Sequence, residues 1–169
     1  LSAGQLAAAL NAPLILSNDQ LDSRTSDEIA KLKPKNMYIV GGENALGSNI
    51  EESVKSVVND INIERLKGND RYETSVKVME KTKEFVDAEY LLIASGKNFP
   101  DALSATSFMA DHKALMVLSD GNSYPKSDLQ EIAIGGVNQL PLNGFTGERI
   151  AGNDRYQTAL AIAKRSFEN

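Results

Sequence analysis

The sequence predicts an α/β fold with three layers, a parallel sheet covered by helices on both faces, and three observations carry that reading. Short, nearly continuous apolar runs alternate with longer stretches of helical period. Runs that are apolar at every position fit strands buried on both faces, which parallel sheets require. The alternation of strand and helix also recurs along the chain, which predicts an incomplete set of tandem units of one kind rather than a single unique domain.

Taken in order, residues 1–10 have helical spacing and Pro13 to Ser17, "PLILS", reads as a buried strand. A helix over 25–32 precedes the strand "MYIVGG" (Met37 to Gly42), which Gly41-Gly42 ends where glycine turns freely. Ser48-Asn-Ile-Glu51 has the form of a capping box and predicts a helix over 49–59. "INIERL" is a short strand leading into a helix over 71–86. "LLIAS" (Leu91 to Ser95) and "LMVLS" (Leu115 to Ser119) are further strands, separated by a helix over 101–111 whose start suits Pro100. A weaker helical pattern covers 127–133.

Two pairs of segments measure the repeat. "ERLKGNDRYETSVKVMEK" from Glu64 returns as "ERIAGNDRYQTALAIAKR" from Glu148, 84 residues later. "LSAGQLAAALNAPLILS" from Leu1 returns as "LSATSFMADHKALMVLS" from Leu103, 102 residues later. The later copy is therefore shorter between Ser119 and Glu148. If "IVGG" (Ile39 to Gly42) matches "AIGG" (Ala133 to Gly136), it lacks part of one helix and most of the next. The expected division is 1–62 as the C-terminal part of one repeat, 63–147 as a second, shortened repeat, and 148–169 as the start of a further one. The chain begins without Met, and "LSAGQLAAALNAPLILS" lacks the basic start of a signal peptide. It is expected to be a fragment or processed piece, preceded by residues resembling "YLLIASGKNFPDA". Apolar surface on the end units is expected to be uncovered or met by another chain.

Lys and Arg number 18 against 23 Asp and Glu, a net charge of −5, which argues against a broad nucleic-acid face. The absence of cysteine excludes disulfides, thiolate metal sites and a Cys nucleophile. No run of about 18 apolar residues is present to insert in a membrane as a helix.

In the repeated motif, Asp70 with Glu73 and Asp154 with Gln157 match capping boxes. Gly68 and Gly152 allow the sharp turn into each helix, and Arg65 and Arg149 lie within reach of the capping Asp. Tyr72 and Tyr156 fall on the face that packs on the sheet; Thr74 and Thr158 complete the motif. These roles explain Gly, Asp and Tyr as structure. Arg71 and Arg155 lack such a reason and are the candidates for an anion or sugar contact, together with free N–H groups at the helix start.

These motifs, with "LLIASGKNFPDALSA", "NAPLILS" and "MYIVGGENALGSNIEESV", resemble the type 2 cell-wall-binding repeats of clostridial and bacillar surface proteins. The resemblance covers nearly the whole chain, with several motifs in the family's order. It implies Rossmann-like or flavodoxin-like units, usually three, in a pseudo-threefold ring. It also implies non-covalent anchoring of a secreted Gram-positive surface protein on anionic, teichoic-acid-like wall polysaccharide, with activity supplied by a separate domain. An apolar triplet corresponding to Leu14-Ile15-Leu16 is associated in the family with polymer binding. The chain departs from the family in its incomplete set of units and in the irregular "GGVNQLPLNGFTGE" of 135–148.

The leading expectation is thus a non-catalytic module without metal or cofactor, binding polysaccharide through shallow repeated sites at Arg65, Arg71, Arg149 and Arg155, with avidity from repetition. Its acidic balance conflicts with an anionic ligand unless those arginines, with Lys67, concentrate positive potential, or a cation bridges the two. The alternatives are a structural unit whose partners are neighbouring repeats or surface-layer subunits, and a Rossmann-like nucleotide-binding enzyme. For the enzyme, "GGENALGS" from Gly41 matches neither phosphate-loop pattern. The single histidine, His112, reads as a surface or helix-end residue.

Overall fold

The computed structural model describes residues 1–168. The elements run α1 (Ala3–Ala9), α2 (Ser23–Leu32), β1 (Asn36–Val40), α3 (Ile50–Val57), β2 (Asn62–Leu66), α4 (Arg71–Lys83), β3 (Tyr90–Ser95), α5 (Phe99–Ser104), α6 (Thr106–Asp111), β4 (Ala114–Ser119), β5 (Gln130–Ile134), β6 (Glu148–Ile150) and α7 (Arg155–Phe167). The expected final segment, 148–169, ends on Asn169, which lies outside the described residues. All strand pairs are parallel: β1 pairs with β2, and a second sheet has the order β4-β3-β5-β6. The α/β architecture expected from the sequence is present.

The second sheet explains why β3 and β4 are apolar at nearly every position. Side chains alternate across a strand, so a sheet buried on both faces needs apolar residues at odd and even positions alike. Leu92, Ala94, Met116 and Ile132 pack on one face with Phe108 of α6 and Ile162 of α7. Leu91, Ile93, Leu115 and Val117 pack on the other with Val76 and Met79 of α4 and with Leu140 and Leu142. Helix α4 follows the first sheet in sequence but covers the second, and its Val78 also buries Leu6 of α1.

The outer edge of β4 is closed by side chains. Buried Gln5 of α1 donates to the Met116 carbonyl at 2.8 Å and accepts from the Met116 N–H at 2.9 Å. The Leu118 N–H donates to Ser75 Oγ of α4 at 2.9 Å. Those groups would otherwise be unpaired in a dry interface.

Four local expectations are corrected. Residues 13–17 form no strand, and Leu14, Ile15 and Leu16 are 54%, 38% and 87% exposed. The pattern over 127–133 ends in strand β5, because β3 pairs with Gln130–Ile134 and sends Ile132 and Ala133 to opposite faces. Asn49, not Ser48, precedes α3, and no side chain caps it, since Glu51 is drawn to Arg65. The helix expected over 101–111 is interrupted at fully buried Ala105. The proposed match of the two Gly-Gly turns is supported: Gly41 donates to Leu66 O and Gly135 to Ile150 O, each at 2.9 Å, and both have positive φ.

Candidate functional site

The two copies of Gly-Asn-Asp-Arg-Tyr build one device that starts a helix. The Asp70 carboxylate accepts from the N–H groups of Tyr72 and Glu73, both at 2.8 Å, and Asp154 accepts from Gln157 N–H at 2.8 Å. Glu73 reaches back to the Asn69 N–H at 2.8 Å, and Gln157 to that of Asn153 at 3.0 Å. Thr74 accepts from Gly68 N–H and Thr158 from Gly152 N–H, each at 3.0 Å. A Cβ added at Gly68 would lie 2.4 Å from Glu73 Cβ, and one at Gly152 2.3 Å from Gln157 Cβ, so only glycine fits this tight turn.

The four arginines divide sharply. Arg65 does not meet Asp70: its guanidinium forms a bidentate pair with Glu51 and also donates to the carbonyls of Gly41, Leu46 and Gly47. Its side chain is 9% exposed, so it is fully used in holding that loop. Arg149 likewise donates to Gly135 O at 2.6 Å and lies over the Phe145 ring, away from Asp154. No carboxylate pairs with Arg149 among the described residues, and burial pushes its pKa below the usual guanidinium range. Arg71 is exposed, with one bond to Gly96 O at 3.0 Å. Arg155 is exposed and feels the charge of Asp101. The expected share of free N–H groups in an anion site is corrected in the first copy, because Asp70 already occupies that helix start.

Tyr72 and Tyr156, expected to act alike, do not. Tyr72 is half-buried against the second sheet, its ring against Gly96, where an added Cβ would lie 2.4 Å away. Tyr156 is 79% exposed: α7 packs on the second sheet through Ile162 and Ala161, and among the described residues no sheet covers the Tyr156 side. Leu160, also on α7, is 56% exposed, whereas Val76 of α4 is packed.

A groove of about 1410 Å³ opens beside the first sheet. Leu14, Ile15 and Leu16 line one wall, Ile39 and Val40 another, and Asp70 and Arg71 its rim. The structure thus brings the apolar triplet and the first exposed arginine to one cleft, and leaves Arg149 in β6 and Arg155 at the start of α7.

Sequence reasoning missed Asp101. Its Oδ1 is buried without a hydrogen-bond partner, Gly135 lies against Oδ2, and burial raises its pKa against the opposing charge of Arg155. It lies in the first turn of α5, where an acidic residue is an ordinary partner of the helix dipole, and only the close approach of the second Gly-Gly turn makes it unusual. The same turn in the first sheet presents carbonyls to Arg65 rather than N–H groups to a phosphate. His112 caps the end of α6, donates from Nε2 to the Ser166 carbonyl at 2.9 Å and stacks on Phe108 with centroids 4.3 Å apart. Among the described residues no group of three or more His, Asp or Glu has metal-site geometry, and no helix is long and apolar enough to cross a membrane.

A family model described as cell wall binding domain 2 (CWB2) matches residues 1–51 and 65–143. The chain belongs to the CWB2 family. It is 30% identical to the amidase enhancer of Bacillus subtilis (strain 168), over 95% of this chain and 23% of that protein. It is 28% identical to N-acetylmuramoyl-L-alanine amidase LytC of the same organism, over 98% of this chain and 35% of that one. This CWB2 chain thus spans only about a quarter of one of these relatives and about a third of the other. Two Clostridium difficile structures share its fold. Cwp6 has a TM-score of 0.87 at 26% identity, covering 99% of this chain and 30% of that one. Cwp8 has a TM-score of 0.81 at 24% identity, covering 95% and 30%.

Proposed function

We propose that this CWB2 chain is a non-catalytic module that holds a secreted surface protein on an anionic, teichoic-acid-like wall polysaccharide. The observation that carries the reading is the pairing of Arg71 with Arg155. They occupy the same position in two copies of one helix start, and both are exposed. The capping bonds of the motif are made by Asn, Asp, Glu or Gln, and Thr, and use neither guanidinium. Two equivalent cations a repeat apart suit a polymer with repeated phosphate charge, where weak single contacts add through avidity. Arg65 is withdrawn from the ligand set by its engagement with Glu51. Arg149, lacking such a carboxylate, adds positive potential near the second site.

Binding of purified wall polymer to the chain and to Arg71→Ala plus Arg155→Ala tests this. We expect the double variant to lose about tenfold or more in affinity, and wild-type binding to weaken with salt. Unchanged affinity in the double variant sinks the arginine site. No binding by a longer chain carrying three complete units sinks anchoring. A second reading, assembly with neighbouring repeats or surface-layer subunits, is favoured by exposed Tyr156 and Leu160 on α7, which predict self-association without polymer.

A further inference from the structure

We infer that Arg149 is an oxyanion socket peculiar to the shortened unit: the Nε and Nη2 edge of its guanidinium receives a carboxylate from a carboxylated sugar of the wall polymer. The choice of a sugar rests on the polysaccharide reading above. The socket itself rests on a comparison of two loops within the chain.

Arg65 and Arg149 occupy the same place in the repeated motif and enter the same turn. The N–H groups of Ala45 and Leu46 both donate to Gly42 O at 3.0 Å, and those of Gln139 and Leu140 both donate to Gly136 O at 3.0 Å. Each arginine directs Nη1 at the first glycine of its turn, Gly41 O at 3.0 Å in one copy and Gly135 O at 2.6 Å in the other. Beyond that bond the copies part. Arg65 Nε and Nη2 donate to the two oxygens of Glu51 at 2.5 and 2.7 Å, and Nη2 also reaches Gly47 O at 3.2 Å. Arg149 Nε and Nη2 meet no acceptor among the described residues.

The cause lies in the shortened sequence. Glu51 belongs to α3, and among the described residues no helix lies between β5 and β6. Pro141 follows Leu140 where Gly47 follows Leu46, and the chain then closes a turn from Phe145 N–H to Leu142 O at 3.0 Å. That turn sets the Phe145 ring beneath Arg149, with the guanidinium carbon 5.6 Å from its centroid. The ring is braced. Tyr124 meets it edge-on at 6.1 Å, and Gly147 makes room for it, since an added Cβ would lie 2.7 Å from Phe145 Cζ. An aromatic ring attracts the cation but accepts none of the N–H bonds in the guanidinium plane. The second copy thus keeps the arginine, puts a ring beside it, and leaves open the edge that Glu51 fills in the first.

The neighbouring carboxylates are engaged elsewhere. Glu131, on the strand beside β6, accepts from the Tyr124 hydroxyl at 2.7 Å and lies 3.8 Å from Lys126 Nζ. Glu148 pairs with Arg165 at 2.9 Å. The two arginines differ electrostatically as a result: the bonds to Glu51 raise the pKa of Arg65, whereas burial lowers that of Arg149. A half-buried guanidinium without an anion favours one brought from outside, and two parallel N–H donors select a group that offers two oxygens. Phosphate and carboxylate both do so. The first copy holds a carboxylate at this edge, which selects that group.

The test follows the arginine Nε–H resonances of the full chain by NMR during titration with trigalacturonate, with a glycerol phosphate trimer and with a tri-glutamate peptide. We expect trigalacturonate to move the Arg149 Nε–H downfield, the sense of a charge-assisted hydrogen bond, and to leave Arg65, whose edge is filled, unmoved. Arg149→Lys keeps the charge but loses the fork, and should weaken the affinity about tenfold or more. The double variant Arg71→Ala plus Arg155→Ala should retain the Arg149 shift, so failure of polymer anchoring and failure of this socket are read separately. No shift at Arg149, an equal shift at Arg65, loss of the shift in the double variant, or unchanged affinity in Arg149→Lys overturns the socket. Tighter binding of the phosphate trimer or of tri-glutamate overturns the carboxylated sugar as its ligand.

Discussion

Residues 12–17, Ala-Pro-Leu-Ile-Leu-Ser, and β4, Ala-Leu-Met-Val-Leu-Ser, are two copies of one apolar segment. In β4 the Met116 and Val117 side chains are fully buried, β3 holds one edge, and Gln5 and Ser75 close the other. In 12–17 the matching Leu14 and Ile15 stand in solvent, and no strand forms. Composition and spacing are nearly the same, so the difference comes from the neighbour. A strand's hydrogen bonds lie between chains, and its side chains are covered by layers it does not itself supply. An amphipathic helix satisfies its own backbone, which is why α1 forms beside 12–17 although the strand does not.

The sharpest way to break this comparison is paired truncation. Met116→Ala should cost about 2 to 4 kcal/mol in denaturant unfolding, the ordinary cost of a cavity in a packed core. Leu14→Ala should cost less than about 0.5 kcal/mol, as exposed side chains do. Equal costs would mean that 12–17 is buried in solution and that the two segments do not differ.

A smaller contrast separates the two loop arginines. Arg65→Ala strands Glu51 and three loop carbonyls and should cost about 2 kcal/mol. Arg149→Ala removes one carbonyl bond and a ring contact, with no carboxylate left behind, and should cost about 1 kcal/mol or less. Unfolding curves that rank them in the opposite order would refute the view that Arg65 is structural.

The smallest effect is in pH dependence, where two carboxylates have opposite signs. The hydrogen bonds from Arg65 hold Glu51 below its usual pKa, so its stabilisation is present above about pH 4.3 and is lost as acid protonates it. Burial raises Asp101 above its usual value of about 3.9, so the protonated form favours folding. That contribution is present below this value and is lost as pH rises through the raised pKa. Asp101→Asn should therefore raise Tm slightly at neutral pH, with the gain vanishing in acid. A Tm difference between the two that does not change with pH would remove the special role assigned to Asp101.

By itself the sequence determined the features whose causes are local. The helix starts at Asp70 and Asp154 were legible because cap, Glu or Gln, Thr and Gly act within seven residues of one another. Strands β3 and β4 were legible because burial on both faces leaves them apolar almost throughout. The Gly-Gly turns could be matched because each follows a short apolar strand. Tertiary structure alone decided the rest, since each outcome depends on a residue far away in sequence. Packing made Tyr72 a half-buried contact and left Tyr156 bare; Glu51 turned Arg65 from a ligand candidate into a strut. Pairing with β3 made 130–134 a strand in place of the expected helix, whereas 12–17 lacks that neighbour and stays open.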